Sequence, residues 1–416
     1  MCNFNLAFVV FKLYKKLNKK CFFQSIQIVI MINENLYKHF ETETISKVNR
    51  FKISKKDLKE LKTSFQNKIV LISGAAGSIG SQFSKDIFKY NFKIKKIIFL
   101  DKDENMLTEL NRELLLFKNF RKANREFICS DLNSMDISDI LLEDKVQFYL
   151  NFAAIKHVRS EENIQSIKYM FKTNSIKFMP RKFKNLKKIF SISTDKTVNP
   201  SSILGVSKYL MEMNLSKYKN KNIFVSSVRF ANVAFSNGSI LKYVIDRLTQ
   251  KKKFGVPMNI KRFFITHSEA SNLCFKSLLK RNNKKIVIPN SKILDKDYLL
   301  TEIVEKIVRK FNLTAKFYKK GNFANNYRNK KCYILLTSIS DGQKSFEEFI
   351  SKKENILEDI DKSICKVNLP SYDNSLDDIL DKILKSNDID KLKKYLSIKF
   401  KNYQPPRRYI KVSRTI

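Results

Sequence analysis

Lys68-Ile-Val-Leu-Ile-Ser73, followed by Gly74-Ala-Ala-Gly-Ser-Ile-Gly80, passes from a short apolar run into three glycines spaced three residues apart. An unbroken apolar run bounded by a glycine turn is what a strand buried on both faces of a parallel sheet needs. The residues from about Ser78 to Tyr90 then read as a helix. Glycine lets the backbone turn tightly and approach a diphosphate, while the free N–H groups and dipole of a helix start attract its charge. GxxGxxG between strand and helix therefore predicts a nucleotide-binding loop in place of an ordinary turn, with Gly74, Ala76, Gly77, Ser78, Ile79 and Gly80 at the cofactor. The chain has only eight glycines in 416 residues, well below the roughly 7% of an average protein, so three in one loop carry information.

The flanking sequence repeats the alternation. Lys96-Ile-Ile-Phe-Leu100 ends in Asp101, and a helical pattern with Leu107, Leu110, Leu114 and Leu115 follows. Asp101 lies about 20 residues beyond the last glycine, where an acid can accept hydrogen bonds from an adenosine ribose and repel a 2′-phosphate. NAD is thereby favoured over NADP, a preference that the neighbouring Lys102 weakens. Further runs at Glu126–Cys129, Val146–Leu150, Lys188–Ile192 and Ile223–Val228 extend the series. Strand alternating with helix predicts an α/β fold, a Rossmann-type doubly wound parallel sheet with right-handed crossovers. Asp131 and Leu132 follow the third strand and are expected at the adenine, with strand-end capping as the alternative for Asp131. After residue 235 the pattern loosens, as suits a smaller C-terminal substrate-binding region. Beyond Pro370 comes a helical segment, Leu376–Leu384, and then the basic stretch Gln404-Pro-Pro-Arg-Arg408.

Composition narrows the partners. With 43% hydrophobic residues the chain can bury a large core, so disorder is excluded despite 81 Lys+Arg against 40 Asp+Glu and a net charge of +41. The basic residues are mostly Lys scattered over the whole length, which reads as a solvated basic surface; nucleic acid is not the expected partner, and an anionic small substrate is favoured. Cys2, Cys21, Cys129, Cys274, Cys332 and Cys365 form no CxxC pair and no zinc spacing with His39, His157 or His267. Free thiols, no metal and a cytoplasmic location are expected. The apolar runs Leu6–Phe11 and Ile26–Met31 fall short of the roughly 20 residues of a membrane span. Lys12, Lys15 and Lys16 follow the first run instead of preceding it, so neither a span nor a secretory signal is expected. Met31 offers an alternative start, which would leave residues 1–30 untranslated.

Six further segments occur in order: Asn151-Phe-Ala-Ala-Ile-Lys-His-Val158, Lys172-Thr-Asn174, Ser193-Thr-Asp-Lys-Thr-Val-Asn-Pro200, Gly205-Val-Ser-Lys208, Arg229-Phe-Ala-Asn-Val233 with Ser236-Asn-Gly-Ser239, and Arg262-Phe-Phe-Ile-Thr266. Over about residues 66–350 the chain resembles the CapD-like polysaccharide-biosynthesis branch of the extended short-chain dehydrogenase/reductases, the nucleotide-sugar 4,6-dehydratases acting on UDP-N-acetylglucosamine. The resemblance divides the chain into an N-terminal extension (1–65), an NAD(P)-binding Rossmann domain (66–235), a sugar-nucleotide region (236–370) and a basic helical tail (371–416), and implies a homo-oligomer.

The resemblance implies an internal redox cycle: oxidation at sugar C4, loss of water across C5 and C6, and return of the hydride to C6. Asp195 would be the acid toward the C6 hydroxyl, Lys196 the base toward C5, and Thr194 would lie at the C4 hydroxyl. Ala153, Ala154 and Val233 would touch the cofactor; Lys156, Asn232, Arg262 and Lys344 would touch the UDP-sugar, with Asn174 supporting the active-site helix. Gly342-Gln-Lys-Ser-Phe-Glu347 resembles the uridine-side motif, with Ser340 and Gln343 departing from it. The usual Tyr one helical turn before Lys208 is Leu204, and Tyr209 points about 100° away along a helix. Lys208 is therefore expected to hold the nicotinamide ribose, with Asp195 or Thr194 assisting at C4. A sugar epimerase, or a catalytically silent NAD- or polyanion-binding protein, are the alternatives.

Overall fold

A computed structural model describes residues 37–218, 221–230, 232–294, 297–319, 327–338, 344, 347–373, 375–401 and 403. The segment 1–30 with Cys2 and Cys21, the motif residues Ser340, Gly342 and Gln343, and the stretch Gln404–Arg408 lie outside the described residues. The chain divides into two compact units, Met1–Val48 and Asn49–Ile416. The described part of the first contains a helix at 37–44.

In the second unit the apolar runs become a parallel sheet. β1 (Ile69–Ser73), β2 (Lys96–Asp101), β3 (Arg125–Cys129), β4 (Phe148–Asn151), β5 (Lys188–Ile192) and β6 (Phe224–Val228) pair in the order β3-β2-β1-β4-β5-β6. The strand Lys285–Pro289 continues it in parallel beside β6, and Ile364–Asn368 and Leu357–Glu358 close the edge antiparallel. Segment 236–370 thus contributes three strands to the main sheet. It also builds a four-stranded sheet from Gly255–Pro257, Thr314–Tyr318, Tyr327–Arg328 and Lys331–Thr337. Strand order reverses at β1, whose neighbours β2 and β4 lie on opposite sides, and this opens a crevice at the carboxyl ends of the strands.

The inner strands β1, β2, β4, β5 and β6 are buried on both faces, which is why they are runs and not alternations, while the edge strand β3 is only half-buried. Phe83 of the helix Ser78–Lys89 stacks on Phe275 of the helix His267–Ser277 with ring centroids 4.1 Å apart. The few polar side chains inside β1, β4 and β5 satisfy one another: Ser73 Oγ donates to Asn151 Oδ1 (2.7 Å), and Asn151 Nδ2 donates to Ser191 Oγ (3.0 Å). Because Ser73, Asn151 and Ser191 share one register, this chain levels the ends of the three strands that open on the crevice.

A second apolar cluster joins the helices Ile164–Phe171 and Ile203–Leu215 to the two tail helices, Ser375–Lys385 and Ile389–Lys399, through Met170, Leu210, Ile383 and Leu396. Among the described residues, no helix is long and apolar enough to cross a membrane.

Behind the crevice, Arg229 is 1% exposed and grips Glu212 with two nitrogens (2.6 and 2.8 Å), and Glu212 Oε1 also accepts from Ser193 Oγ (2.6 Å). Removing the cation would strand a buried carboxylate, so Arg229→Ala should lower the unfolding free energy by about 3–5 kcal/mol. In urea melts its midpoint should fall, while Lys385→Ala, which breaks an exposed pair with Asp381, should leave the midpoint unchanged.

Candidate active site

The glycine loop leaves β1 at the point of strand reversal. Gly74 has φ +69°, and a Cβ on it would lie 2.4 Å from Ala153 N; a Cβ on Gly80 would lie 2.2 Å from Gly74 O. Those two positions exclude a side chain for internal reasons. Gly77 differs: its Cβ would meet only Gly74 O, at 3.3 Å, and it caps the helix Ser78–Lys89 with no side-chain hydrogen bond. The helix start thus keeps its N–H groups turned toward open space, the arrangement a diphosphate needs.

That space is a cavity of about 420 Å³. Its lining unites Gly77, Ser78, Ile79, Gly80, Ala154 and Val233 with Lys156, Asn232, Thr194, Lys196 and Lys208. Phe152, His157, Ile192, Ser193, Leu204, Phe230, Ser236, Gly238 and Ser239 complete it. Seven of these, Phe152, His157, Ser193, Phe230, Ser236, Gly238 and Ser239, fall inside motif segments yet carried no assignment of their own. The residues from β4, β5 and β6 reach it from the strand ends that the Ser73–Asn151–Ser191 chain levels.

Other expected residues lie outside the lining. Asp101 Oδ2 accepts from Ala76 N (3.0 Å) and Oδ1 from Asp103 N (3.2 Å), so its carboxylate braces the glycine loop. Asp131 takes the Tyr169 hydroxyl at 2.5 Å and Asn133 N at 2.8 Å. Burial would raise its pKa, but these hydrogen bonds outweigh it and hold the carboxyl below the usual range. Leu132 is buried in the main core. Arg262 Nη2 donates to Lys344 O (2.8 Å), and Lys344 Nζ donates to Val198 O (2.6 Å) in the loop that follows β5. Asn174 bonds both Ile155 N (2.9 Å) and Ser207 Oγ (2.9 Å), tying the β4 exit to the helix Ile203–Leu215.

Two lysines have contrasting electrostatics. Lys208 Nζ is buried, donates to Ile192 O (3.0 Å), and desolvation pushes its pKa down to about 8. Lys196 Nζ donates to Asp195 Oδ1 (3.2 Å), which also accepts from Thr194 Oγ1 (2.7 Å). Burial opposes the Lys196 charge, yet the carboxyl groups of Asp195 and Glu347 outweigh it and raise its pKa. Leu204 fills the position of the absent Tyr, 3% exposed, between cavity and tail helices. Tyr209 faces elsewhere, its ring edge-on to Phe400 at 6.1 Å. It lines a larger cleft of about 1070 Å³ with Arg229 and Lys352. That cleft contains neither the glycine loop nor Lys208, so the chemistry-bearing residues select the smaller cavity.

Residues 70–368 match the family described as polysaccharide biosynthesis protein. The chain belongs to that family. It is 26% identical over 367 residues to the capsular polysaccharide biosynthesis protein CapD of Staphylococcus aureus, a match that covers 82% of this chain and 56% of CapD. It is 26% identical over 238 residues to an inverting UDP-N-acetylglucosamine 4,6-dehydratase of Campylobacter jejuni, covering 54% of this chain and 67% of that enzyme. The chain therefore spans little more than half the length of CapD. Among solved structures it resembles a UDP-glucuronic acid 4-epimerase of Bacillus cereus, determined with a fluorinated UDP-sugar and NAD, at a TM-score of 0.51 and 18% identity over 67% of this chain and 88% of that one. This last likeness establishes the Rossmann-type fold.

The glycine geometry separates two roles that one motif combines. Gly80→Ala should lower the thermal midpoint of the ligand-free protein, because backbone must move to admit the methyl group. Gly77→Ala should lower that midpoint much less, since only Gly74 O must give by a few tenths of an ångström, and should weaken NAD binding in calorimetry, because the methyl group projects from the loop that borders the cavity.

Proposed function

We propose that this chain binds NAD(P), with NAD favoured by Asp101, in the glycine loop and acts as a nucleotide-sugar 4,6-dehydratase on UDP-N-acetylglucosamine for glycan biosynthesis. The observation that carries the reading is the convergence of the open helix start at Gly77, Lys208 and the Thr194–Asp195–Lys196 turn on one cavity. The C. jejuni relative supplies the reaction class. When bound, the nicotinamide supplies an acceptor for the C4 hydride and returns that hydride at C6.

The residues handle the protons. Thr194 faces the cavity while its hydroxyl donates to Asp195, so a proton leaving the C4 hydroxyl can pass through Thr194 to the carboxylate. Asp195 then holds the proton that the departing C6 hydroxyl needs to leave as water. Neutralising Asp195 also removes an anion that keeps Lys196 protonated. Lys196 gives its own proton to solvent as that anion is lost; as the neutral amine it takes the C5 proton, made acidic by the C4 ketone, and returns it to C5 after elimination. Lys208 holds the nicotinamide ribose hydroxyls, and Leu204 contributes no proton. Lys156, Asn232 and Arg262 surround the UDP-sugar, matching the charge of its diphosphate.

Incubating the protein with UDP-N-acetylglucosamine and NAD should yield a 4-keto-6-deoxy sugar by NMR. UDP-N-acetylgalactosamine as product would replace this reading with an epimerase, and no turnover of UDP- and GDP-sugars would end the enzyme assignment. Lys196→Ala should reduce elimination about 100-fold or more while bound NAD stays constant. Unchanged turnover would remove Lys196 from its role.

A further inference from the structure

Glu347 is a buried carboxyl at which several substrate-side groups converge, and its side chain is 3% exposed. Its Oε2 accepts the Phe263 N–H at 2.7 Å, its Oε1 accepts Asn232 Nδ2 at 2.5 Å, and Arg262 Nε lies 3.6 Å from Oε1. Asn232 and Phe264 are paired across two short strands, so this one carboxyl fastens the side chain of one strand to the backbone entering the other. The same segment reaches the catalytic turn, because Lys344 Nζ donates both to Val198 O (2.6 Å) and to Glu348 Oε2 (3.1 Å).

We infer that Glu347 is a positioning residue for the proposed reaction, holding Asn232 and Arg262 at the cavity and setting the charge beside the Asp195–Lys196 pair. The inference rests on the dehydratase reading above. A group that touches Asn232, Arg262 and the backbone of Phe263 at once fixes where a sugar diphosphate can lie relative to Thr194. The charged groups facing it are Asp195 and Lys196 from the turn after β5 and Arg262 from the adjoining strand, with Lys344 and Glu348 on its own segment.

Burial pushes the Glu347 carboxyl up to about 8, with Asp195 adding to the rise and Lys196 and Arg262 opposing it. Below that pH Glu347 is neutral, Asp195 remains the carboxylate beside Lys196 among the described residues, and the site keeps positive charge for an anionic substrate. As pH rises through about 8, Glu347 ionises, competes for Arg262 and cancels part of that charge. Substrate binding should weaken over this window, with KM rising more than kcat falls.

The test compares wild type, Glu347→Gln and Glu347→Ala. Gln preserves a neutral carboxamide and should recover most of the kcat/KM that Ala loses at pH 7. Ala should raise KM about tenfold, and bound NAD should stay constant in all three. Between pH 7 and 9 the wild-type KM should climb more steeply than that of Glu347→Gln, in which Lys208, also near 8, still titrates in the cavity. Superimposable KM profiles for wild type and Glu347→Gln, or equal loss of kcat in both variants, overturn the inference. A second readout needs no turnover: hydrogen exchange at the Phe263 amide should accelerate about tenfold in Glu347→Ala and remain near wild type in Glu347→Gln. If wild type turns over no UDP-sugar, the dehydratase reading fails while the exchange arm still decides whether Glu347 holds this strand; unchanged exchange in Glu347→Ala overturns that hold.

Discussion

The close passage of the Gly74 backbone against residues 152 and 153 constrains everything else in the site. β1 can feed a helix on one side and lie flush against β4 on the other only if its first loop residue has no side chain and takes a positive φ. With that contact made, the exit of β4 lies beside the helix start at Gly77, and the exit of β5 comes next in register. The buried Ser73–Asn151–Ser191 chain holds these ends level. The glycine loop and the Thr194–Lys196 turn, more than a hundred residues apart in sequence, are thereby fixed around one cavity.

The second constraint is electrostatic. Lys156, Lys196 and Lys208 line the cavity and Arg262 stands close behind it, set against Asp195 and a Glu347 that burial keeps protonated at neutral pH. The balance is positive, as a sugar diphosphate requires, and it is local. The +41 charge of the whole chain adds a diffuse field, but a field spread over scattered surface lysines is screened within about 8–10 Å at physiological salt. Beneath the cavity, Arg229 is shared by Glu212 and Glu354 (2.6 and 2.8 Å), and Glu212 holds Ser193, the residue preceding Thr194. This cluster anchors the start of the turn.

What the sequence made legible follows from how local each signal is. The observed limits of the six strands differ by only a residue or two from expectation; for the five inner ones burial on both faces leaves no ambiguity of period, and only β3 is half-buried. The glycine loop was readable for the same reason: strand, turn and helix are contiguous. Glu347 was quoted within a motif but drew no role, since its partners Asn232 and Phe263 are about a hundred residues away and only the fold joins them. Asp131 reads as an adenine contact with strand capping as the alternative, and its hydrogen bonds with Tyr169 and Asn133 are visible only in the fold. The tail reads in sequence as a basic helical extension, with one helical segment at Leu376–Leu384 and no packing partner. The apolar positions of its two helices, Leu376, Ile383, Leu392 and Leu396, instead cover the helix that carries Lys208.

That covering bears on the replacement of the usual Tyr by Leu204. A Tyr one turn before Lys208 would give the lysine a phenolate to stabilise and would place the proton acceptor for C4 on the helix. Leu204 instead packs toward the tail helices, and Tyr209 is turned to the far side against Phe400. The helix therefore presents only a cation, which burial draws down toward neutrality, and a cation can orient ribose hydroxyls without accepting the substrate's proton. In the proposed reaction that task passes to the turn after β5, where a hydroxyl, a carboxylate and an ammonium are already joined by hydrogen bonds. A relay contained in one turn has a consequence the Tyr-based arrangement lacks. The proton taken at C4 is held by the group that must donate at C6, so oxidation and elimination are coupled through Asp195, and through its charge to Lys196.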